Sequence, residues 1–271
     1  MTRAANIANL PFHTTYIKSL LPKKEVGNGT GFLVEFSSSP GTYLITNRHV
    51  VEGALETTFT LPLQRPNPGV QNVPRHEYQL GSYSSEWTCH SDPKIDLCCC
   101  RVDHLFKQLR PYFVPVKTSK ILASASLQSC PEVSEVLIIG YPIGLWDRQH
   151  VRPIIRRGTT ATHPGIDFDY EREFIIDAAC VPGSSGSPVF RYPELYQTEA
   201  DTIDLEQDLK LIGILYAAYY CSREGDISFA PIPANSTATT DIHIHLGKVI
   251  PSHLLLDFQH IMGTPPGQVL G

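Results

Sequence analysis

The chain has 271 residues, with 42% hydrophobic and 18% charged residues and a formal net charge of −5. That length buries a sizeable core, and a mildly acidic, unpatterned balance excludes a dedicated nucleic-acid binder, which carries a basic stripe. No apolar run approaches the roughly 20 residues that span a bilayer, and residues 1–10 lack the apolar stretch of a signal peptide. A soluble, cytoplasmic, globular protein is expected, with neither a membrane nor a nucleic acid as partner.

Short β-branched and aromatic runs occur in chain order at 31–36, 43–46, 97–102, 136–140, 174–177, 188–190 and 211–216, punctuated by 22 prolines and 19 glycines. Runs of this length bounded by turn residues predict strands. Many short strands without long helical patterns between them predict a barrel or sandwich. Residues 117–131 begin small and polar and read as a connector between two halves. Residues 191–210, rich in carboxylates, and 221–241, rich in Pro, Ser, Thr and Gly, read as long surface loops. One helix is predicted at 251–261: Pro251 suits a first helical turn, and Leu254, Leu255, Phe258 and Ile261 share one face.

Seven cysteines are an odd number, and no Cys-x-x-Cys pair is present. Cys98, Cys99 and Cys100 are consecutive, and the alternating faces of a strand deny them a common metal. All are expected to be reduced core-fillers. His243 and His245 are expected to share a strand face. No third ligand is spaced to join them, so neither a metal nor a cofactor is expected.

Three patterns carry chemistry. In Leu44-Ile-Thr-Asn-Arg-His-Val-Val51 a strand runs directly into His49. Asp96 stands at the entry to the apolar run from Leu97, with Asp92 and Asp103 as competitors; Asp92, before Pro93, reads as a turn aspartate. In Asp177-Ala-Ala-Cys-Val-Pro-Gly-Ser-Ser-Gly-Ser-Pro-Val-Phe190 a Gly/Ser turn with Ser184, Ser185 and Ser187 precedes a strand. A serine hydroxyl needs an adjacent base to attack a carbonyl. A neutral histidine can take that proton near neutral pH, and a carboxylate on its other nitrogen fixes the tautomer. A glycine turn can aim backbone amides at the developing oxyanion. The order His, Asp, Ser belongs to the chymotrypsin-like arrangement.

The chain resembles the trypsin-like (chymotrypsin-fold) serine peptidases, and among them the Deg/HtrA-type peptidase domain. The segments that carry the resemblance follow in family order: Gly29-Thr-Gly-Phe-Leu-Val34, Thr46-Asn-Arg-His-Val-Val51, Asp96-Leu97, Gly140-Tyr-Pro-Ile-Gly-Leu145, and Asp177-Ala-Ala with Pro182-Gly-Ser-Ser-Gly-Ser-Pro188. It implies an all-β fold of two packed six-stranded β-barrels with a C-terminal helix. The first barrel would span about 25–116, the connector 117–130, the second barrel 131–250 and the helix 251–262. It implies a serine endopeptidase with His49 as base, Asp96 as its orienting carboxylate and Ser185 as nucleophile. The amides of Gly183 and Ser185, with Ser184 between them, would form the oxyanion hole. The base of the pocket for the residue before the cleaved bond would fall at Ala179, and its wall at Tyr216, Ala217 and Ala218. With nothing acidic at Ala179, a small or medium apolar residue is the expected preference.

The chain also departs from the family. Ser187 replaces the second glycine after the nucleophile, and Ser184 stands where trypsin-type peptidases carry an aspartate that pairs with a freshly cut N-terminus. Activation by N-terminal cleavage is therefore not expected, and with ten residues following Ile261 no PDZ domain is expected. The expected partners are a protein or peptide substrate and a regulatory protein that corrects the oxyanion turn by population shift. The alternative is a catalytically silent peptide- or protein-binding module on the same fold. An α/β-hydrolase is excluded, because a strand with Pro188, not a helix, follows the serine turn.

Overall fold

The computed structural model describes residues 9–67, 69–192, 209–229 and 232–263. The strands are β1 (Thr14–Leu20), β2 (Val26–Glu35), β3 (Tyr43–Thr46), β4 (Glu56–Pro62), β5 (Arg75–Leu80), β6 (Thr88–Cys89), β7 (Cys98–Arg101) and β8 (Val116–Lys117) in the first half. The second half holds β9 (Glu135–Gly140), β10 (Ile154–Thr160), β11 (Phe174–Asp177), β12 (Pro188–Arg191), β13 (Lys210–Phe229) and β14 (Ile232–Pro251).

The second unit is a closed barrel in the order β10-β11-β14-β13-β12-β9. Closure removes the sheet edges within the barrel itself. The first unit is an eight-stranded sheet in the order β5-β4-β1-β2-β3-β7-β6, with β8 parallel to β2. It has two strands more than expected, because the two-residue strands β6 and β8 were too short to leave a period in the sequence.

Alternation along each strand sorts side chains between three cores. Cys98 and Cys100 face the core of the first unit, with Ile17, Leu33, Leu44 and Phe59. Val136, Ile138, Phe174, Ile176 and Val189 fill the barrel. Cys99, Phe32, Ile45, Ile139, Phe190 and Ile214 form the apolar layer between the units, and Leu254, Leu255 and Phe258 close it from the C-terminal side. The apolar helical face read from the sequence is therefore correct. Its start is not: β14 runs to Pro251, and a 3-10 turn (Ser252–Leu256) leads into the helix Asp257–Gly263.

Three further expectations change. Residues 221–241 are not a loop. The register continues through them, from Ser222 opposite Asp241 to Phe229 opposite Ile232, as one long hairpin. Backbone pairing holds where composition signals a loop. His243 and His245 do not simply alternate, because His245 has φ +63° and the register slips between Ala218 and Tyr220. The cysteines are not all reduced. Cys89 and Cys98 are direct partners on β6 and β7, with Cα atoms 4.1 Å apart, and form a disulfide. Cross-strand opposition, invisible in the spacing, brings them together. Most of the acidic stretch 191–210 lies outside the described residues.

Candidate active site

His49 lies in the single helical turn Arg48–Val51, directly after β3. Its neighbours gather the loop that carries Asp96. The Asn47 side chain donates to the Asp96 carbonyl at 2.8 Å, and the Arg48 guanidinium donates to the carbonyls of Pro93 and Ile95 at 2.6 and 2.8 Å. The Asp96 carboxylate then grips His49 twice, accepting from the backbone amide at 3.0 Å and from Nδ1 at 2.5 Å. A carboxylate only accepts, so Nδ1 carries a proton, and in the neutral ring Nε2 keeps its lone pair. On the far side, buried His90 accepts the Asp92 amide on Nδ1 and meets the Asp257 carboxylate with Nε2 at 3.0 Å. The C-terminal helix thereby anchors the Asp96 loop. Asp92 caps its own turn at the Lys94 amide, and Asp103 pairs with Arg101 at 2.7 Å. Neither competitor meets His49.

The serine segment makes two consecutive turns. Ser184 N–H closes the first on the Val181 carbonyl at 3.1 Å, with Pro182 and Gly183 (φ +83°) between them, the type II pattern. Ser187 N–H closes the second on the Ser184 carbonyl at 3.0 Å around Gly186 (φ +85°). A Cβ at Gly186 would stand 1.9 Å from the Thr30 carbonyl, so only glycine fits. Among the described residues, the amides of Gly183 and Ser185 have no protein acceptor, whereas that of Ser184 is spent on Val181. Of the three expected oxyanion donors, two are free.

Thr30 on β2, fully buried, joins the two units at this segment. Its amide donates to the Ser185 carbonyl at 2.8 Å. Its hydroxyl donates to the Gly183 carbonyl and accepts the Tyr141 amide, each at 3.0 Å. Sequence reading passed over Thr30, Asn47 and Arg48 as roles, although all three stand inside the quoted motifs.

His49, Gly183, Ser184 and Ser185 line one cleft of about 390 Å³, with Cys180, Val181, Leu215, Tyr216, Ala217 and Ala218. The lining carries no carboxylate and no lysine or arginine. Ala179 does not line it; its side chain is exposed, and Cys180 and Val181 take that place. Burial pushes the Cys180 thiol up to about 11, against which the nearby Arg156 charge works only in part, so no thiolate nucleophile stands here. The Ser185 hydroxyl donates to the Tyr216 carbonyl at 3.2 Å. The Tyr216 phenol in turn bonds the buried carboxylate of Glu173, which pairs with Lys248 at 2.9 Å. Burial first, then the Glu173 carboxylate, raise the Tyr216 phenol, so it stays protonated. No group of three or more metal-ligating side chains occurs among the described residues.

Residues 29–194 match the family described as "Trypsin-like peptidase domain". Over 166 residues the chain is 30% identical to a probable periplasmic serine endoprotease, DegP-like, of Chlamydia pneumoniae. That match covers 61% of this chain and 27% of the relative, so the chain spans only part of the relative's length. The structure titled HtrA-type protease AlgW with tripeptide superposes with a TM-score of 0.54 at 18% identity, covering 97% of this chain and 64% of that one. The Rv3671c protease from M. tuberculosis, active form, gives 0.52 at 19%, covering 98% and 87%. At such identities the likeness is one of fold. The periplasmic description of the DegP-like relative overturns the expectation of a cytoplasmic location. The Cys89–Cys98 disulfide agrees with that correction, since disulfides persist where the surroundings are oxidising.

Proposed function

This chain belongs to the trypsin-like peptidase domain family, and we propose that it is a serine endopeptidase acting through an acyl-enzyme on Ser185. His49 Nε2 takes the Ser185 proton as the hydroxyl attacks the scissile carbonyl, and returns it to the leaving amine. Asp96 holds the imidazole in the tautomer that leaves Nε2 free and stabilises the imidazolium. The free amides of Gly183 and Ser185 stabilise the tetrahedral oxyanion. The apolar lining of the cleft favours a small or medium apolar side chain before the cleaved bond. The observation that carries the reading is that His49, bonded twice to Asp96, shares one cleft with Ser185 and with two amides that have no protein acceptor among the described residues.

A resting state fits one further observation. The Ser185 hydroxyl donates to the Tyr216 carbonyl, so this proton must be redirected before His49 can take it. A substrate or partner that competes for the Tyr216 carbonyl releases it, which is regulation without N-terminal cleavage.

The test is labelling with a fluorophosphonate probe, read by intact mass, on wild type, Ser185→Ala and His49→Ala. One adduct on wild type and none on Ser185→Ala is expected. Label that survives in Ser185→Ala overturns the choice of nucleophile. An unlabelled wild type, with and without an unfolded protein substrate, favours the silent binding module instead.

A further inference from the structure

The segment from Ala179 to Ser187 carries the two free amides, yet few non-local bonds hold its first residues, Ala179 to Val181. Its outer anchors are Ala178 N–H on the His245 carbonyl and Gly186 N–H on the Leu215 carbonyl, both at 2.8 Å. Between them, Ile143 N–H reaches the Pro182 carbonyl at 2.6 Å, and Thr30 reaches the Gly183 carbonyl. Further on, Thr30 N–H reaches the Ser185 carbonyl, the Ser185 hydroxyl reaches the Tyr216 carbonyl, and Leu215 N–H reaches the Ser187 carbonyl. The bonds to Ala179 and to the Ser184 side chain come from one side chain, Arg156 on β10. One of its terminal nitrogens donates to the Ala179 carbonyl, and the other donates to the Ser184 hydroxyl at 2.8 Å. Ser184 lies between the two free amides. No carboxylate pairs with Arg156 among the described residues, and its Nε–H is buried without an acceptor. A cation is thus kept partly out of water without a counter-ion, at a cost a merely structural hydrogen bond would not require.

We infer that Arg156 is a positioning residue for the oxyanion turn. Its planar fork spans Ala179 and Ser184, which fixes the separation of the two ends of the loop. Its uncompensated charge lies one hydrogen bond from the residue between the two free amides, where it favours negative charge on the substrate oxygen they bind. Arg157, next on the strand, points the other way and pairs with Glu135 at the surface. The inference rests on the peptidase reading for its effect on rate, but not for its effect on the loop.

The experiment uses the full chain and two readouts, amide hydrogen exchange over residues 179–187 and steady-state hydrolysis of a peptide substrate. Arg156→Met is expected to speed exchange across this segment about tenfold, with β9 and β11 unchanged. It is expected to lower kcat about 10²-fold with little change in KM, as a displaced stabilising donor does. Arg156→Lys, which keeps the charge but not the fork, should fall between, and Arg157→Met should match wild type. If Arg156→Met does not fold, Arg156→Lys beside Ser184→Ala gives the same comparison, and the double variant should be no worse than the poorer single one. Unchanged exchange over 179–187 in Arg156→Met overturns the inference whether or not the wild type hydrolyses peptides. Faster exchange with unchanged kcat in an active enzyme overturns it too, leaving a local packing role. An inactive wild type whose loop loosens in Arg156→Met keeps the positioning role and counts against the peptidase reading alone.

Discussion

The Thr30 amide donates to the Ser185 carbonyl at 2.8 Å, so a strand of the first unit is bonded to the nucleophile turn of the second. The Thr30 hydroxyl adds the Gly183 carbonyl and the Tyr141 amide. Thr30→Val keeps the shape and the backbone bond but takes this partner from three groups, the buried Tyr141 amide, the buried Ser187 hydroxyl and the half-buried Gly183 carbonyl. Each costs about 1–3 kcal/mol when left unpaired. The variant is expected to unfold about 2–4 kcal/mol more easily in a urea titration. Its kcat should fall about tenfold, since the Gly183–Ser184 peptide, between the two free amides, loses a bond that sets its plane. An unchanged urea midpoint would mean that the hydroxyl contributes nothing between the units.

Asp96 and Asp92 share one loop, but only Asp96 reaches His49. Asp96→Asn presents an amide where a carboxylate accepted two donors, and it selects the wrong imidazole tautomer. The expected loss in kcat is about 10⁴-fold, the size found for this substitution in the template serine-protease triad. Asp92→Asn keeps the oxygen that caps the Lys94 amide and gives up only a 3.7 Å pair with Arg172 at the surface. It should retain kcat within about twofold, as surface pairs are worth little. Equal losses for the two variants in a peptide-hydrolysis assay would remove Asp96 from its assigned role.

The parts of this site legible in the sequence are those where chemistry and local geometry coincide. A strand ending in His49 and a double turn with glycines at 183 and 186 are written in a few adjacent residues. The strands at 43–46 and 174–177 match because turn residues bound short apolar runs. What stayed hidden depends on the partner across space. Thr30 and Arg156 look like any strand residues until β2 and β10 are set beside the serine segment. The hairpin of β13 and β14 hid behind Pro, Ser, Thr and Gly, because cross-strand pairing outweighs a weak composition signal. Ala179 missed the cleft by one residue, with buried Cys180 lining it in its place just past the end of β11.

The pairing of Cys89 with Cys98 is checked by counting thiols. Five cysteines, Cys99, Cys100, Cys130, Cys180 and Cys221, are free, and seven are present in all. Denatured, unreduced protein should therefore titrate five thiols, and reduced protein seven. The closed loop contains Asp96, so reduction acts on both stability and the site. Opening a loop of about ten residues should cost about 2–3 kcal/mol in the chain-entropy account. Seven thiols before reduction would return the cysteines to the reduced state the composition suggested.

His13 sets a pH limit on the fold. Its Nδ1–H donates to the Val114 carbonyl at 2.5 Å, and its ring leans on Phe190 of the barrel at 5.6 Å, so it sits at the seam of the two units. Burial lowers its pKa from 6.5 to about 4, with the Val114 bond opposing and Lys120 adding to the shift. The unfolded chain takes up this proton near pH 6.5, and the folded chain refuses it until about pH 4. The unfolded state binds more protons through that window, so stability falls as pH falls. A gap of this size corresponds to about 3 kcal/mol of stability, fully present above pH 7 and mostly lost by pH 4.5. Urea titrations of wild type and His13→Gln, at several pH values between 7.5 and 4.5, read it directly. The wild-type free energy should drop by about 3 kcal/mol more than that of the variant, which has no proton to accept. Parallel curves would mean that folded His13 carries its proton as readily as the unfolded chain does.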